Sequence, residues 1–240
     1  NGKHILVEKS ITLNSAELDE TMALAKEKGL VMAEAMTIYH MPLYKKLREI
    51  LDAGTLGKVN LLTMNFGSFK EYDENNRFFN RNLAGGAMLD IGVYALSFVR
   101  WFLDSKPDQL LSQVRTASTG VDEQSGLLLT NQEGQMATVM LSLHSKQPKR
   151  GMISCERGYI EIMEYPRAGE AKVTYTDTGK TEIIEAGDNA DALYYEVLDM
   201  EHAIISGDVS AMQLGFSKDV MDLMTAFRKE WGVSYPEEER

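Results

Sequence analysis

The sequence carries one cysteine, Cys155, in 240 residues, so no internal disulfide can form. That usage fits a reducing cytoplasm, and the lone thiol reads as a small core residue rather than a nucleophile. Basic charge is also short. Lys and Arg total 25 against 36 Asp and Glu, a net charge of −11 that argues against nucleic acid or an anionic membrane as partner. No apolar run approaches the roughly 20 residues needed to span a bilayer, and Arg100 interrupts the best stretch, near residues 95–103. No signal-peptide pattern is visible. The histidines His4, His40, His144 and His202 show no ligand spacing with acids or the cysteine, so no metal site is expected. Repeats and low-complexity linkers are absent from the pattern. So is the dinucleotide fingerprint G-x-G-x-x-G, since Gly54 and Gly57 have the wrong spacing and no helix after them.

What is present centres on Gly85-Gly86-Ala87-Met88-Leu89-Asp90-Ile91-Gly92-Val93-Tyr94-Ala95-Leu96. Two glycines permit a tight turn and a close backbone approach to a cleft. A helical pattern follows, with Leu89, Val93 and Leu96 on one stripe. Asp90 and Tyr94 are four residues apart, which stacks a carboxylate and a phenol on one helix face. That pair suits acid–base chemistry. The same spacing also fits a helix-capping aspartate beside a packed tyrosine. Near the start, His4–Glu8 reads as a short buried strand that ends in Glu8-Lys9-Ser10.

The strand ending in Glu8-Lys9 and the Gly85-Gly86…Asp90-Ile91-Gly92-x-Tyr94 stretch together resemble the Gfo/Idh/MocA oxidoreductases, in the branch with dimeric dihydrodiol and xylose dehydrogenases. In that family the strand ends Glu-Lys-Pro, often at a cis bond. Here Ser10 follows the lysine, and cis bonds before residues other than proline are rare. The resemblance implies Lys9 and Tyr94 as the catalytic pair, with Asp90 holding substrate hydroxyls. It places Tyr39 and His40 at the substrate cleft, and Glu8 with Lys9 at the cofactor, NAD or NADP. The polar loop over 70–82 reads either as a border of that cleft, with Arg81 offering a charged hydrogen bond, or as a solvated loop pinned by Phe78 and Phe79. The implied substrate is a sugar, polyol or diol, and Lys9 is expected to lower the pKa of Tyr94. The family's nucleotide motif lies upstream of its Glu-Lys-Pro strand, so the chain reads as an enzyme whose front portion has been removed. A rival reading is a non-catalytic oligomerisation or ligand-sensing module that kept the fold.

The expected class is α+β. Residues 1–35 read as the tail of a Rossmann-type unit: a strand, a helix capped by Asn14 with Glu17 three residues on, and a strand over 30–35. Residues 36–240 read as a substrate and assembly domain. Pro42 opens a helix with Leu43, Leu47, Ile50 and Leu51 inward. Strand-like runs then follow over 59–66, 109–118, 126–130, 135–144, 152–155, 159–163, 172–176 and 181–185, separated by Gly, Asn and Asp turns. That is the pattern of a mostly antiparallel open sheet covered by helices on one face. Closing helices are expected over 190–205 with Leu193, Val197, Met200 and Ile204 inward, and over 216–231 with Val220, Leu223, Met224 and Phe227 inward. Apolar residues on both faces of 135–144 suggest a homodimer, or a dimer of dimers, through the open sheet.

Overall fold

The computed structural model describes residues 1–239. Strand β1 (Ile5–Glu8) pairs in parallel with β2 (Met32–Ala35), joined by helix α1 (Ser15–Glu27). Asn14 caps α1 as expected, accepting the Glu17 N–H at 3.0 Å, while Glu17 accepts from Leu13 at 3.0 Å. Each bond satisfies a backbone donor that the helix start would otherwise leave unpaired. After β1 the chain turns through a cis Lys9–Ser10 bond, although no proline is present.

From β2 the chain passes through a single turn, α2 (Thr37–His40), into α3 (Pro42–Asp52). Strand β3 (Val59–Gly67) then enters the centre of an eight-stranded sheet. A π-helical turn, Met88–Gly92, runs directly into α4 (Val93–Phe102). The remaining strands are β4 (Gln109–Thr116), β5 (Asp122–Thr130), β6 (Met136–Ser142), β7 (Arg150–Cys155), β8 (Gly158–Met163), β9 (Glu170–Tyr175) and β10 (Thr181–Glu185). Their order across the sheet is β10-β9-β8-β7-β3-β6-β5-β4. Only β3 and β6 run parallel, so the arrangement is α+β with a mostly antiparallel sheet. Helices α5 (Ala192–Ser206) and α6 (Leu214–Trp231) close the described chain.

One sheet face carries the core. Ala137, Val139 and Leu141 of β6 are buried, whereas Met136 and Met140 on the other face are exposed. Period-two alternation produces this division. Residues Arg81–Phe102 are long and apolar enough to cross a membrane by length and composition alone. Here that apolar character is buried inside the fold, where α4 packs on α6 and β3. Helix α6 buries Val220, Leu223, Met224 and Phe227, as its periodicity predicts.

Helix α5 departs from expectation. Leu193, Val197 and Ile204 are exposed, and the buried positions are Ala192, Glu196, Met200 and Ala203. Each residue advances a helix by about 100°. The inward stripe is therefore rotated one position from the one apolarity selects, except at Met200. The reason is polar. Asp199, one turn after Glu196, accepts from His40 Nδ1 at 2.8 Å and from Lys45 at 2.9 Å, which pins that face of α5 onto α2 and α3.

Candidate functional site

The sequence brings Lys9, Asp90 and Tyr94 to one place by two local devices. Lys9 leaves the C-terminal end of β1, and its loop is tied down by neighbours. Ser10 Oγ donates to the Leu89 carbonyl at 3.0 Å, and Ile11 N–H donates to the buried carboxyl of Glu34 at 3.1 Å. Asp90 and Tyr94 ride on the π-helical turn and the first turn of α4. Such π-turns concentrate at functional sites because they re-aim side chains within a helix.

Lys9 Nζ donates to the Asp90 carbonyl at 2.6 Å and lies 3.4 Å from Asp90 Oδ1. It also sits 4.9 Å from the centroid of the Tyr94 ring. Arg77 Nη2 reaches the same Asp90 Oδ1 at 3.4 Å. One carboxylate oxygen thus meets two cations, beside a cavity of about 160 Å³ lined in part by Lys9, Ser10, Arg77, Gly86 and Asp90. Charge-assisted contacts of this kind fix side-chain positions more firmly than neutral ones.

The glycine turn ahead of Asp90 is clamped from three directions. The buried Asp122 accepts the Met88 N–H at 2.6 Å, Tyr235 donates its hydroxyl to the Gly85 carbonyl at 2.7 Å, and Gly86 N–H reaches the Phe78 carbonyl at 3.0 Å. Gly86 has φ +125°, and a Cβ there would stand 2.3 Å from Asp122 Oδ1. Only glycine fits this close approach.

Burial pushes the Tyr94 phenol up to about 12, with Arg167 opposing and Glu8, Asp90 and Glu196 adding to the rise. The expected lowering by Lys9 is therefore not what governs this phenol. Lys9 stands over the ring face and spends its hydrogen bonds on Asp90. Glu196 is 3% exposed, and burial lifts its carboxyl to about 7, with Glu8 raising it further and Arg167 opposing.

The other residues singled out from sequence lie elsewhere. Tyr39 is 1% exposed and stacks on Trp101 at 5.8 Å, with Phe216 at its edge, so it is a core ring rather than a cleft wall. His40 is equally buried against Asp199. Arg81 is held by the C-terminal segment, donating to the Ser234 carbonyl at 2.8 Å and pairing with Glu239. Glu8 is exposed at the end of β1, within electrostatic reach of Tyr94 and Glu196. Sequence reasoning missed Arg77, Arg167 and Glu196. Arg77 shares its irregular loop with Arg81, and no periodicity there distinguishes the two.

Residues 44–161 match the family model for the GFO/IDH/MocA C-terminal domain. Over 98% of its length the chain is 27% identical to trans-1,2-dihydrobenzene-1,2-diol dehydrogenase of Xenopus tropicalis, covering 73% of that relative. It is 28% identical, with the same coverage of each chain, to an NADP(+) scyllo-inositol 2-dehydrogenase of Bacillus subtilis strain 168. Its fold is shared with an aldose-aldose oxidoreductase from Caulobacter crescentus, with TM-score 0.83 and 19% identity over 100% of this chain and 71% of that one. A 3-ketoreductase from Actinomadura kijaniata, solved with NADP and TDP-benzene, superposes with TM-score 0.82 at 21% identity, covering 95% of this chain and 71% of its own. The domain match and the relatives aligned over 98% of this chain agree on one assignment: the chain carries the C-terminal domain of the Gfo/Idh/MocA oxidoreductase family.

Proposed function

We propose that this chain is the substrate-handling part of a nicotinamide-dependent dehydrogenase acting on a hydroxyl, or the matching ketone, of a sugar, polyol or diol. The observation that carries the reading is convergence. Lys9 and Asp90 are 81 positions apart, yet the ammonium lies 3.4 Å from the Asp90 carboxylate and donates to its main-chain carbonyl at 2.6 Å, and Tyr94 faces the same ammonium at 4.9 Å. A purely structural descendant of the fold has no need of all three. The relatives named for diol and inositol oxidation support the substrate class.

The residues present suit the nicotinamide end of NAD or NADP. Glu8 and Lys9 stand at the carboxyl end of a parallel strand, where α/β folds take dinucleotides. When bound, the cofactor supplies or accepts hydride. Everything else falls to side chains. Lys9 draws the substrate oxygen toward the phenol and stabilises negative charge on it. Asp90, anchored by Lys9 and Arg77, accepts from a neighbouring substrate hydroxyl and selects which carbon is presented. Tyr94, raised to about 12, is protonated at neutral pH and so stands ready to give its proton to a carbonyl oxygen. Residues 1–35 would form the cofactor side and residues 36–240 the substrate and assembly side. The exposed Leu111 and Met140 on the outer sheet face, which line a depression of about 650 Å³, would seat a second copy.

The test is Tyr94→Phe in the protein expressed from its complete reading frame. Turnover of scyllo-inositol or trans-1,2-dihydrobenzene-1,2-diol with NADP+ should fall by roughly 10²–10⁴-fold, the scale of a lost general acid–base group. Unchanged turnover, with chemistry rate-limiting, would move that role to another residue.

A further inference from the structure

Two stretches of chain line the cavity beside Asp90, one within residues 9–13 and one within 77–90. The second contains Gly85-Gly86, and consecutive glycines give the backbone its widest choice of conformations. The position of such a turn has to be imposed by its neighbours. Asp122 supplies one tie, at Met88, and Tyr235 supplies another, its buried hydroxyl donating to the Gly85 carbonyl at 2.7 Å. The segment that carries Tyr235 also holds the first stretch. At the end of α6, Gly232 adopts φ +69° and Val233 N–H returns to the Arg228 carbonyl at 2.9 Å, which stops the helix and turns the chain. Glu238 then meets the buried Arg228 with both carboxylate oxygens, at 2.9 and 3.0 Å. The same guanidinium donates to the Leu13 carbonyl and stands 4.8 Å from the centroid of the Tyr235 ring. Glu238 also accepts from the Asn14 amide and from the Tyr235 N–H, each at 3.0 Å. On the other stretch, Arg81 donates to the Ser234 carbonyl at 2.8 Å and to its hydroxyl at 3.0 Å.

We propose that residues 234–239 are a strap across the two stretches, and that Tyr235 is the positioning residue through which the strap sets Asp90 against Lys9. The proposal rests on the dehydrogenase reading. Leu13 lies four residues after Lys9, and Gly85 five before Asp90, so the strap fixes the approach to each charged group while touching neither. Slack between them is small. Lys9 Nζ reaches the Asp90 carbonyl at 2.6 Å and Oδ1 at 3.4 Å, and the longer contact already stands at the edge of hydrogen-bond range. A small shift of the glycine turn breaks it. Misplacement by about 1 Å costs roughly 10²-fold in rate where a site works by holding its groups in place.

The pair of Glu238 with Arg228 would be enough to anchor the segment to α6. Its further bonds, to Leu13, Asn14, Arg81 and Gly85, land on or beside both stretches that line one cavity. Tyr235→Phe removes the hydroxyl alone, which strips the Gly85 carbonyl of this donor and loosens the turn. Glu238→Gln keeps the side-chain shape and removes the charge that Arg228 grips, weakening the strap at the opposite end. Among the described residues no hydrogen bond joins Lys9 to Tyr235 or to Glu238, so either change reaches the ammonium only through the chain between.

Two measurements test the strap in the protein expressed from its complete reading frame. In ¹⁵Nζ-lysine NMR, with Lys9 assigned by its loss in Lys9→Met, the Lys9 signal should shift in Tyr235→Phe and in Glu238→Gln. With NADP+ and scyllo-inositol, well below the Tm of each variant, Tyr235→Phe should lower kcat by roughly 10–100-fold with KM within about twofold. Glu238→Gln should lower kcat less. The double variant should fall no further than Tyr235→Phe alone, because both changes act through one segment. A Tyr235 that only satisfies a buried carbonyl would lower Tm and leave kcat unchanged, which overturns the proposal. An unmoved Lys9 signal overturns it whatever the turnover, and so does an effect confined to KM. Losses that multiply in the double variant refute the strap. If Tyr235→Phe does not fold, Glu238→Gln carries both readouts under the same criteria. A wild type without nicotinamide-dependent turnover refutes the dehydrogenase reading instead, and the Lys9 signal then decides the strap on its own.

Discussion

Asp122 offers a quantitative test of how the site is held. It lies fully buried at the start of β5, accepts the Met88 N–H at 2.6 Å, and presses its other oxygen toward Gly86. Burial raises its carboxyl from 3.8 to about 7, while the bond from Met88 and the attraction of Arg228 hold it back. In the unfolded chain the same group titrates near 3.9. Between those values the folded state binds the extra proton, so stability falls as pH rises, and the contribution is lost as pH passes the folded value. A rise of this size corresponds to about 4 kcal/mol across pH 4–8. Asp122→Asn keeps the shape and the acceptor for Met88 but cannot ionise. Urea unfolding of both proteins at several pH values isolates the effect. Any constant cost of the amide cancels, and Glu196, which titrates in the same region, is common to both. The difference in unfolding free energy should move in favour of the Asn variant by about 4 kcal/mol from pH 4 to pH 8. A pH-independent difference would refute the reasoning and would mean that Asp122 is ionised throughout, satisfied by backbone donors and Arg228.

Much of the architecture was legible in the sequence because period and punctuation agree there. Pro42, Asn14 and the α6 stripe mark helices whose positions the structure reproduces. The start of β5 was not legible. Asp122, Glu123, Gln124 and Ser125 look like a turn, yet the structure runs them as strand with Asp122, Glu123 and Ser125 buried. Their burial rests on tertiary partners that no local pattern contains: the Met88 N–H for Asp122, and Arg115 with His144 for Glu123. The phase of α5 failed for the same reason. Apolarity selects Leu193, Val197 and Ile204, while the bonds of Asp199 turn Glu196 inward. Of the residues singled out for the site, Lys9, Asp90 and Tyr94 converge, and each lies in a motif with backbone consequences. Tyr39 and His40 were chosen by position in a resembled pattern and Arg81 by its place in a polar loop, and they satisfy core or C-terminal contacts instead.

Three further outcomes are expected. Gly86→Ala places a methyl 2.3 Å from Asp122 Oδ1 at φ +125° and should destabilise the fold by about 1–3 kcal/mol or more, read by thermal melting. An unchanged Tm would show that the turn is free to relax. Lys9→Met removes the ammonium that anchors to Asp90 and faces Tyr94, so nicotinamide-dependent turnover should drop by roughly 10²-fold or more with the fold intact by circular dichroism. The last concerns assembly. Met140 is 49% exposed and Leu111 66%, and both line the depression on the outer sheet face, where a solvated sheet would carry polar side chains. If a second copy covers this face, Met140→Lys places a charge in an apolar contact on each protomer. Buried unpaired charge costs several kcal/mol per ion, which outweighs what one methionine contributes to association. Light scattering at micromolar concentration should then report a dimer for the wild type and a monomer for Met140→Lys, with equal Tm for the isolated chains. A wild-type monomer, or a Met140→Lys dimer of undiminished affinity, would place any interface on another surface.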